Sequence, residues 1–136
     1  MEVTFFGSGG LLGSYWLELA VAPWEQERGM MHRDRIAAGY GMLFPYPHDR
    51  MLSFWMEQTW VPLDMIFVND AGVVVHIVHQ AAPRTQTPRS SQRPARYVIE
   101  LAGGEASRLG LGAGDRVAWM NLPQEHLPRT PSDGRP

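Results

Sequence analysis

Two acidic residues lie inside apolar, strand-like runs: Asp64 in Val61-Pro62-Leu63-Asp64-Met65-Ile66-Phe67-Val68, and Glu100 in Tyr97-Val98-Ile99-Glu100-Leu101. Apolar surroundings favour the neutral form of a carboxyl group. Glycoside hydrolysis needs two carboxyls about 5–10 Å apart, one of them with a raised pKa. Asp64 and Glu100 are therefore the candidate acid–base pair of a hydrolase, with backbone hydrogen bonding as the competing explanation for each. Asp64 has a second candidate partner in Arg33. A guanidinium presents a planar donor fork that matches a carboxylate, so this pair either pins a helix to a strand or leaves Arg33 facing a pocket for an anionic group. Aromatic residues concentrate nearby, at Tyr46, Phe54, Trp55 and Trp60. Exposed, such rings stack on sugar faces; buried, they fill the core of a small domain. Phe54 is expected in the core and Trp60 partly exposed. The candidate ligand surface is Arg33, Trp55, Thr59, Trp60 and Asp64.

The remaining patterns are weaker. His76 and His79 fall on opposite faces of a strand, and His32, His48 and His126 are scattered, so no metal site is expected. Residues 83–96 contain Arg84, Arg89, Arg93 and Arg96 with no acid among them. They form a solvated loop or a patch that steers an acidic polymer or phosphate. Met30, Met31, Met42, Met51, Met56 and Met65 either fill gaps in the core or line an adaptable groove. Gly103-Gly104 ahead of a helical turn could cradle a phosphate on backbone N–H groups, but no Lys-Ser/Thr follows.

These residues need a scaffold, and composition bounds it. The chain has 136 residues, with twelve arginines and no lysine against fourteen acids, for a formal net charge of −2. That length suits one domain able to bury a core without a metal or disulfide staple. The absence of Cys excludes a thiolate nucleophile, a Cys-ligated metal and a disulfide framework. The near-neutral balance argues against general nucleic-acid binding. No cofactor is called for. No run reaches the ~18 apolar residues that span a bilayer. The chain as it stands is expected to be cytoplasmic, with export open if a leader has been removed.

Leu17-Glu18-Leu19-Ala20-Val21 alternates with period two and reads as a strand. Pro23 opens a short helical turn over Trp24-Glu25-Gln26-Glu27-Arg28, which Gly29 caps. Gly41-Met42-Leu43-Phe44 is a strand closed by Pro45-Tyr46-Pro47. The runs at 61–68 and 73–78 flank Asn69-Asp70-Ala71-Gly72 and form a hairpin. Residues 97–101 and 116–120 are strands, separated by a helical turn over 105–109 that Gly110 ends. Gly114-Asp115 turns the chain into the last strand, with the Asp side chain bonding nearby backbone. The fold class is mainly β (α+β), a small antiparallel barrel-like sheet with one or two short helices. Residues 1–14 are set apart as an N-terminal extension, 15–121 as the domain, and 122–136 as a Pro-rich mobile tail.

Several segments together resemble a known family. They are Glu18-Leu19-Ala20, Gly29-Met30-Met31-His32-Arg33, Gly41-Met42-Leu43-Phe44, Ser53-Phe54-Trp55-Met56, Thr59, Val61 to Phe67, Tyr97 to Leu101 and Gly114-Asp115-Arg116-Val117. Their succession is similar to the bacterial and archaeal domain-of-unknown-function family numbered 192, over roughly residues 17–120. The resemblance implies a compact β-rich domain with little helix and no established activity. Many relatives carry an export signal or membrane anchor. The family usually has a basic residue and Asn after Phe-Trp-Met, where this chain has Glu57 and Gln58, and His32 replaces a position more often apolar. The expectation is a non-catalytic module for a small anionic or carbohydrate ligand. The alternatives are a hydrolase using Asp64 and Glu100, or an assembly module pairing through an exposed strand edge.

Overall fold

Period-two patterning begins before Leu17. In the computed structural model, which describes residues 1–128, Glu2–Gly7 (β1) and Gly10–Leu19 (β2) form an antiparallel hairpin. Val3 and Phe5 of β1 are fully buried. The first fourteen residues are thus part of the sheet rather than an extension, because their apolar alternation finds a core to face. The helix follows as α1, Pro23–Arg28. Glu25 accepts hydrogen bonds from the amides of Val21 and Ala22 at its start, and Gly29 closes it at φ 48°.

The connection through α1 is long enough to bring the chain back in the same direction. Tyr40–Arg50 (β3) therefore runs parallel to β2, the one departure from an otherwise antiparallel sheet. β3 continues through Pro45 and Pro47 instead of stopping there. Its ladder with the later strand Ala95–Ala102 (β8) breaks between Pro45 and Arg50, where prolines need donate nothing. Ser53–Phe54 (β4) pairs with Arg89–Ser90 (β7) in a separate two-stranded ribbon. Leu63–Val68 (β5) and Val74–Ala81 (β6) form the hairpin. Asn69 Oδ1 holds its turn by accepting from Ala71 and Val73, and Gly72 supplies φ 80°. Glu105–Leu109 (α2) and Arg116–Met120 (β9) complete the body. Asp115 accepts from the Gly112 amide at the turn before β9.

The main sheet has the order β6-β5-β8-β3-β2-β1-β9 and curls into a half-barrel. A bridge from Val73 to Arg116 draws its two edge strands together at one end. One face carries a core that includes Phe5, Leu43, Ile66, Ile99 and Leu101. The opposite face carries Met30, Met42, Phe44, Met56, Met65, Phe67 and Val98. Four of the six methionines singled out above therefore fill this second core. Leu122 is buried and Gln124–His126 forms a 3-10 turn, so the segment after β9 packs on the body as far as the description reaches. The rest of the expected tail, 129–136, lies outside the described residues.

Gly41 is the tightest backbone approach in the sheet. A Cβ there would stand 2.5 Å from the Glu100 carbonyl oxygen and 2.6 Å from Leu101 Cδ2. A backbone oxygen cannot rotate away, so Gly41→Ala should force β3 from β8 and cost about 1–3 kcal/mol in urea unfolding. An unchanged midpoint would show that the sheet absorbs the methyl by sliding.

Candidate functional site

Strand register decides what the two candidate carboxylates can do. Asp64 on β5 stands opposite Leu101 of β8, while Met65 stands opposite Glu100. Successive side chains on a strand alternate faces, so Asp64 and Glu100 project from opposite sides of the sheet. They do not form an acid–base pair.

Asp64 is fully buried. Its carboxylate accepts hydrogen bonds from the backbone N–H groups of Gln80 (2.8 Å), Gly104 (3.1 Å to each oxygen) and Ala106 (2.8 Å). The Gly103-Gly104 cradle is thus filled by the chain's own anion, which joins α2 to the β5–β6 hairpin. Arg33 is elsewhere: its guanidinium forms a two-pronged ion pair with Glu18 on β2, one prong at 2.9 Å. Both partners are partly exposed, and such a pair contributes about 0–1 kcal/mol.

Glu100 lies on the other face, at the base of a cleft of about 230 Å³ between α1, β3, β4 and the loop after β4. Helix α1 and the residues after it supply Gln26, Glu27, Arg28, Met30 and Met31. Phe44 and Tyr46 come from β3, and Phe54, Trp55, Glu57 and Thr59 complete the wall. The rings hold one another edge to face, Phe54 meeting Phe44 at 5.1 Å, Phe67 at 6.3 Å and Tyr46 at 6.4 Å. Gln26 fixes the helix over the cleft by donating to the carbonyls of Ala20 and Pro45.

Glu100 is 4% exposed, and among the described residues its carboxyl has no hydrogen-bond or ion-pair partner. Among those residues the side-chain polar atom that is both sealed and unpaired is Trp119 Nε1, so the Glu100 oxygens keep contact with the open space of the cleft. Burial alone pushes its pKa up to about 8. Burial also pushes the Tyr46 hydroxyl up to about 12, with the Glu100 charge adding to the rise.

An unfolded Glu releases its proton near 4.5, whereas folded Glu100 holds it to about 8. As pH rises through that window the unfolded state is increasingly favoured, so this group makes the protein less stable from about pH 4.5 to pH 8. Glu100→Gln should therefore be more stable than the parent by about 2–3 kcal/mol at pH 8 and nearly equal to it at pH 4. The gain falls below the full value of the shift because the carboxyl reaches cleft water. Urea unfolding at the two pH values checks this, and a gap independent of pH would show that Glu100 ionises normally.

Of the expected ligand surface, the cleft brings together Trp55, which is 54% exposed at the rim, and Thr59, which is buried. Trp60 is outside it, with its ring stacked on His32 at 5.4 Å and the Arg84 guanidinium 5.9 Å from its centre. Three loops meet there, since the His32 amide donates to the Gln58 carbonyl and the Arg84 amide to the Thr59 carbonyl. The arginine loop is divided as well. Arg93 is exposed and Arg89 belongs to β7, but Arg96 is buried in β8 and ion-paired to Asp70 at 2.8 Å. Among the described residues no group of three or more His, Asp or Glu could hold a metal. No helix among them is long and apolar enough to cross a membrane. The residues missed in the sequence are those of α1 and its exit. Met30 and Met31 stand out there only as members of a methionine set and of a family segment, and nothing marks Gln26 or Arg28 as lining a cleft.

Residues 7–119 match the model of a protein family described as DUF192, Uncharacterized ACR. Two similar proteins of known crystal structure share the fold. A candidate transcription regulator from Sinorhizobium meliloti 1021 is 36% identical with a TM-score of 0.82, over 86% of this chain and 91% of that one. A protein of unknown function from Novosphingobium aromaticivorans DSM 12444 is 38% identical with a TM-score of 0.83, over 88% and 84%. No protein of curated function matches.

Proposed function

The chain belongs to the DUF192 family of uncharacterised proteins, and from that premise we propose that it is a non-catalytic module binding a small polyhydroxylated ligand, a carbohydrate, in the cleft above Glu100. The observation that carries this reading is Glu100 itself, a buried carboxyl with no partner in the protein, opening onto a cleft with an aromatic wall. A carboxyl group accepts and, when protonated, donates hydrogen bonds, which suits sugar hydroxyls. Trp55 at the rim offers a face for the apolar side of a pyranose ring. A small anion fits less well, since the cleft lining sets the carboxyls of Glu27 and Glu57 against the single cation Arg28. The hydrolase alternative built on Asp64 and Glu100 loses that pair, because Asp64 is on the far side of the sheet. Regulation through nucleic acid, suggested by the Sinorhizobium relative, is not supported by the loop arginines, which are dispersed, with Arg96 internal.

The test is NMR titration of the labelled protein with methyl hexosides, following the Trp55 indole and Thr59 amide. Saturable shifts confined to the cleft are expected, with Trp55→Ala weakening binding about fivefold, the worth of one stacked ring. Hydrolysis of an aryl glycoside that disappears in Glu100→Gln would replace the binding reading with an enzymatic one.

A further inference from the structure

The same sheet treats its two buried carboxyls in opposite ways. Asp64 is met by three backbone amides. Glu100 is met by none, and no arginine, hydroxyl or amide among the described residues reaches it. A carboxylate buried for structural reasons would be costly left like this, so the missing counter-charge points outward, into the cleft. We propose that the ligand presents a protonated primary amine to Glu100, so that the cleft selects an amino-substituted sugar over its hydroxyl counterpart. This rests on the cleft being a carbohydrate site.

The surroundings support a cation at that point. Rings of Phe44, Tyr46, Phe54 and Trp55 line the wall, and a positive group near ring faces is attracted to their negative quadrupole. Tyr46 already holds the Arg50 guanidinium 4.7 Å from its ring centre. The charged and titratable groups that share the cleft with Glu100 belong to α1, β3 and the loop after β4. Glu27 and Arg28 come from α1, Tyr46 from β3, and Glu57 from the loop after β4; the neighbouring β5 positions on this face, Met65 and Phe67, are apolar. The Arg28 charge acts on Glu18 and Glu25, while nothing but burial acts on Glu100. Near neutral pH the carboxyl therefore waits in its protonated form. Pairing with an ammonium ionises it, and its proton leaves to the buffer.

The experiment uses the full chain with methyl glucoside and methyl galactoside, each beside its 6-amino-6-deoxy counterpart. Affinities come from NMR titration at pH 6, 7 and 8, and proton release from calorimetry in two buffers of different protonation enthalpy. The amino sugar should bind at least tenfold tighter than its parent at pH 7 and release close to one proton. Its affinity should rise nearly tenfold from pH 6 to pH 7 and about fivefold more from pH 7 to pH 8. Glu100→Gln should lose the amine preference and the pH dependence together, so that both members of each pair bind with the same affinity at all three pH values. Equal, pH-independent affinities for both members of each pair in the parent protein would overturn the amine assignment and leave the carbohydrate cleft standing. If neither member shifts the Trp55 or Thr59 signals, the cleft reading itself falls and the amine assignment with it.

Discussion

Asp64→Ala is expected to destabilise the protein by about 3–5 kcal/mol, a large share of the 5–15 kcal/mol that holds a domain of this kind folded. The substitution removes the acceptor from the amides of Gln80, Gly104 and Ala106, in a position where Asp64 itself is 0% exposed. Each buried N–H left without a partner costs about 1–3 kcal/mol, and the three are not fully additive because α2 can tilt toward water. The informative comparison is Asp64→Asn. Both carboxylate oxygens accept, Oδ1 from Gln80 and Gly104, Oδ2 from Gly104 and Ala106. Either orientation of a carboxamide would turn its NH2 toward a backbone N–H, so Asn should recover little of the loss. Urea unfolding at neutral pH measures both. Near-parental stability of the Asn variant would mean that these amides find other acceptors. Neither variant should change a ligand affinity in the cleft except through unfolding, since Asp64 faces the other side of the sheet.

Arg96→Ala should have an effect of similar size, about 3–5 kcal/mol, through a different mechanism. The guanidinium is 1% exposed. Its Nε donates to the Tyr46 carbonyl at 2.8 Å, and its NH1 nitrogen donates to Asp70 Oδ1 at 2.8 Å and to the Leu127 carbonyl at 2.7 Å. One side chain thereby joins the irregular end of β3, the β5–β6 turn and the segment after β9. The guanidinium lies 5.1 Å from the centre of the Tyr97 ring, and the Tyr97 hydroxyl donates to the His126 carbonyl. Removing Arg96 creates a cavity and takes this donor from the Tyr46 and Leu127 carbonyls at once. Arg96→Lys is expected to recover less than half of the loss, because a single ammonium cannot span acceptors arranged around a planar fork. Amide hydrogen exchange localises the damage: Leu127 and His126 should lose protection before the sheet does. Protection that survives in Arg96→Ala would assign the packing of that segment to Leu122 instead.

Local sequence patterns carry some of these features and not others. The hairpin of β5 and β6 was legible because β-branched runs flank a tetrapeptide whose Asn and Gly have local jobs, and the structure uses both. The short helices are legible for the same reason, each closed by a glycine at positive φ, Gly29 and Gly110. Hairpin β1–β2 was missed because Gly7 to Gly10 interrupts its alternation and nothing local says that another strand will cover Val3 and Phe5. Arg96 reads locally as part of a solvated loop or an anion-steering patch because it follows Pro94 in an arginine-rich stretch. Its partners lie 26, 31 and 50 positions away, a separation that no local pattern carries.

The candidate site divides along the same line. From residue types and spacing alone, Asp64 and Glu100 could be recognised as carboxyls set in apolar strands, and Trp55 and Thr59 as members of a candidate ligand surface. The mainly β fold, too, followed from period-two runs and turn residues, which act through the local backbone. What only the tertiary structure decided is which side of the sheet each acid faces. Alternation along one strand is a local property, but a slip of one residue between neighbouring strands exchanges every side chain between faces. The register that sets Met65 beside Glu100 and Asp64 beside Leu101 is fixed by packing on both faces together. It made Asp64 a structural anchor met by amides and left Glu100 open to the cleft.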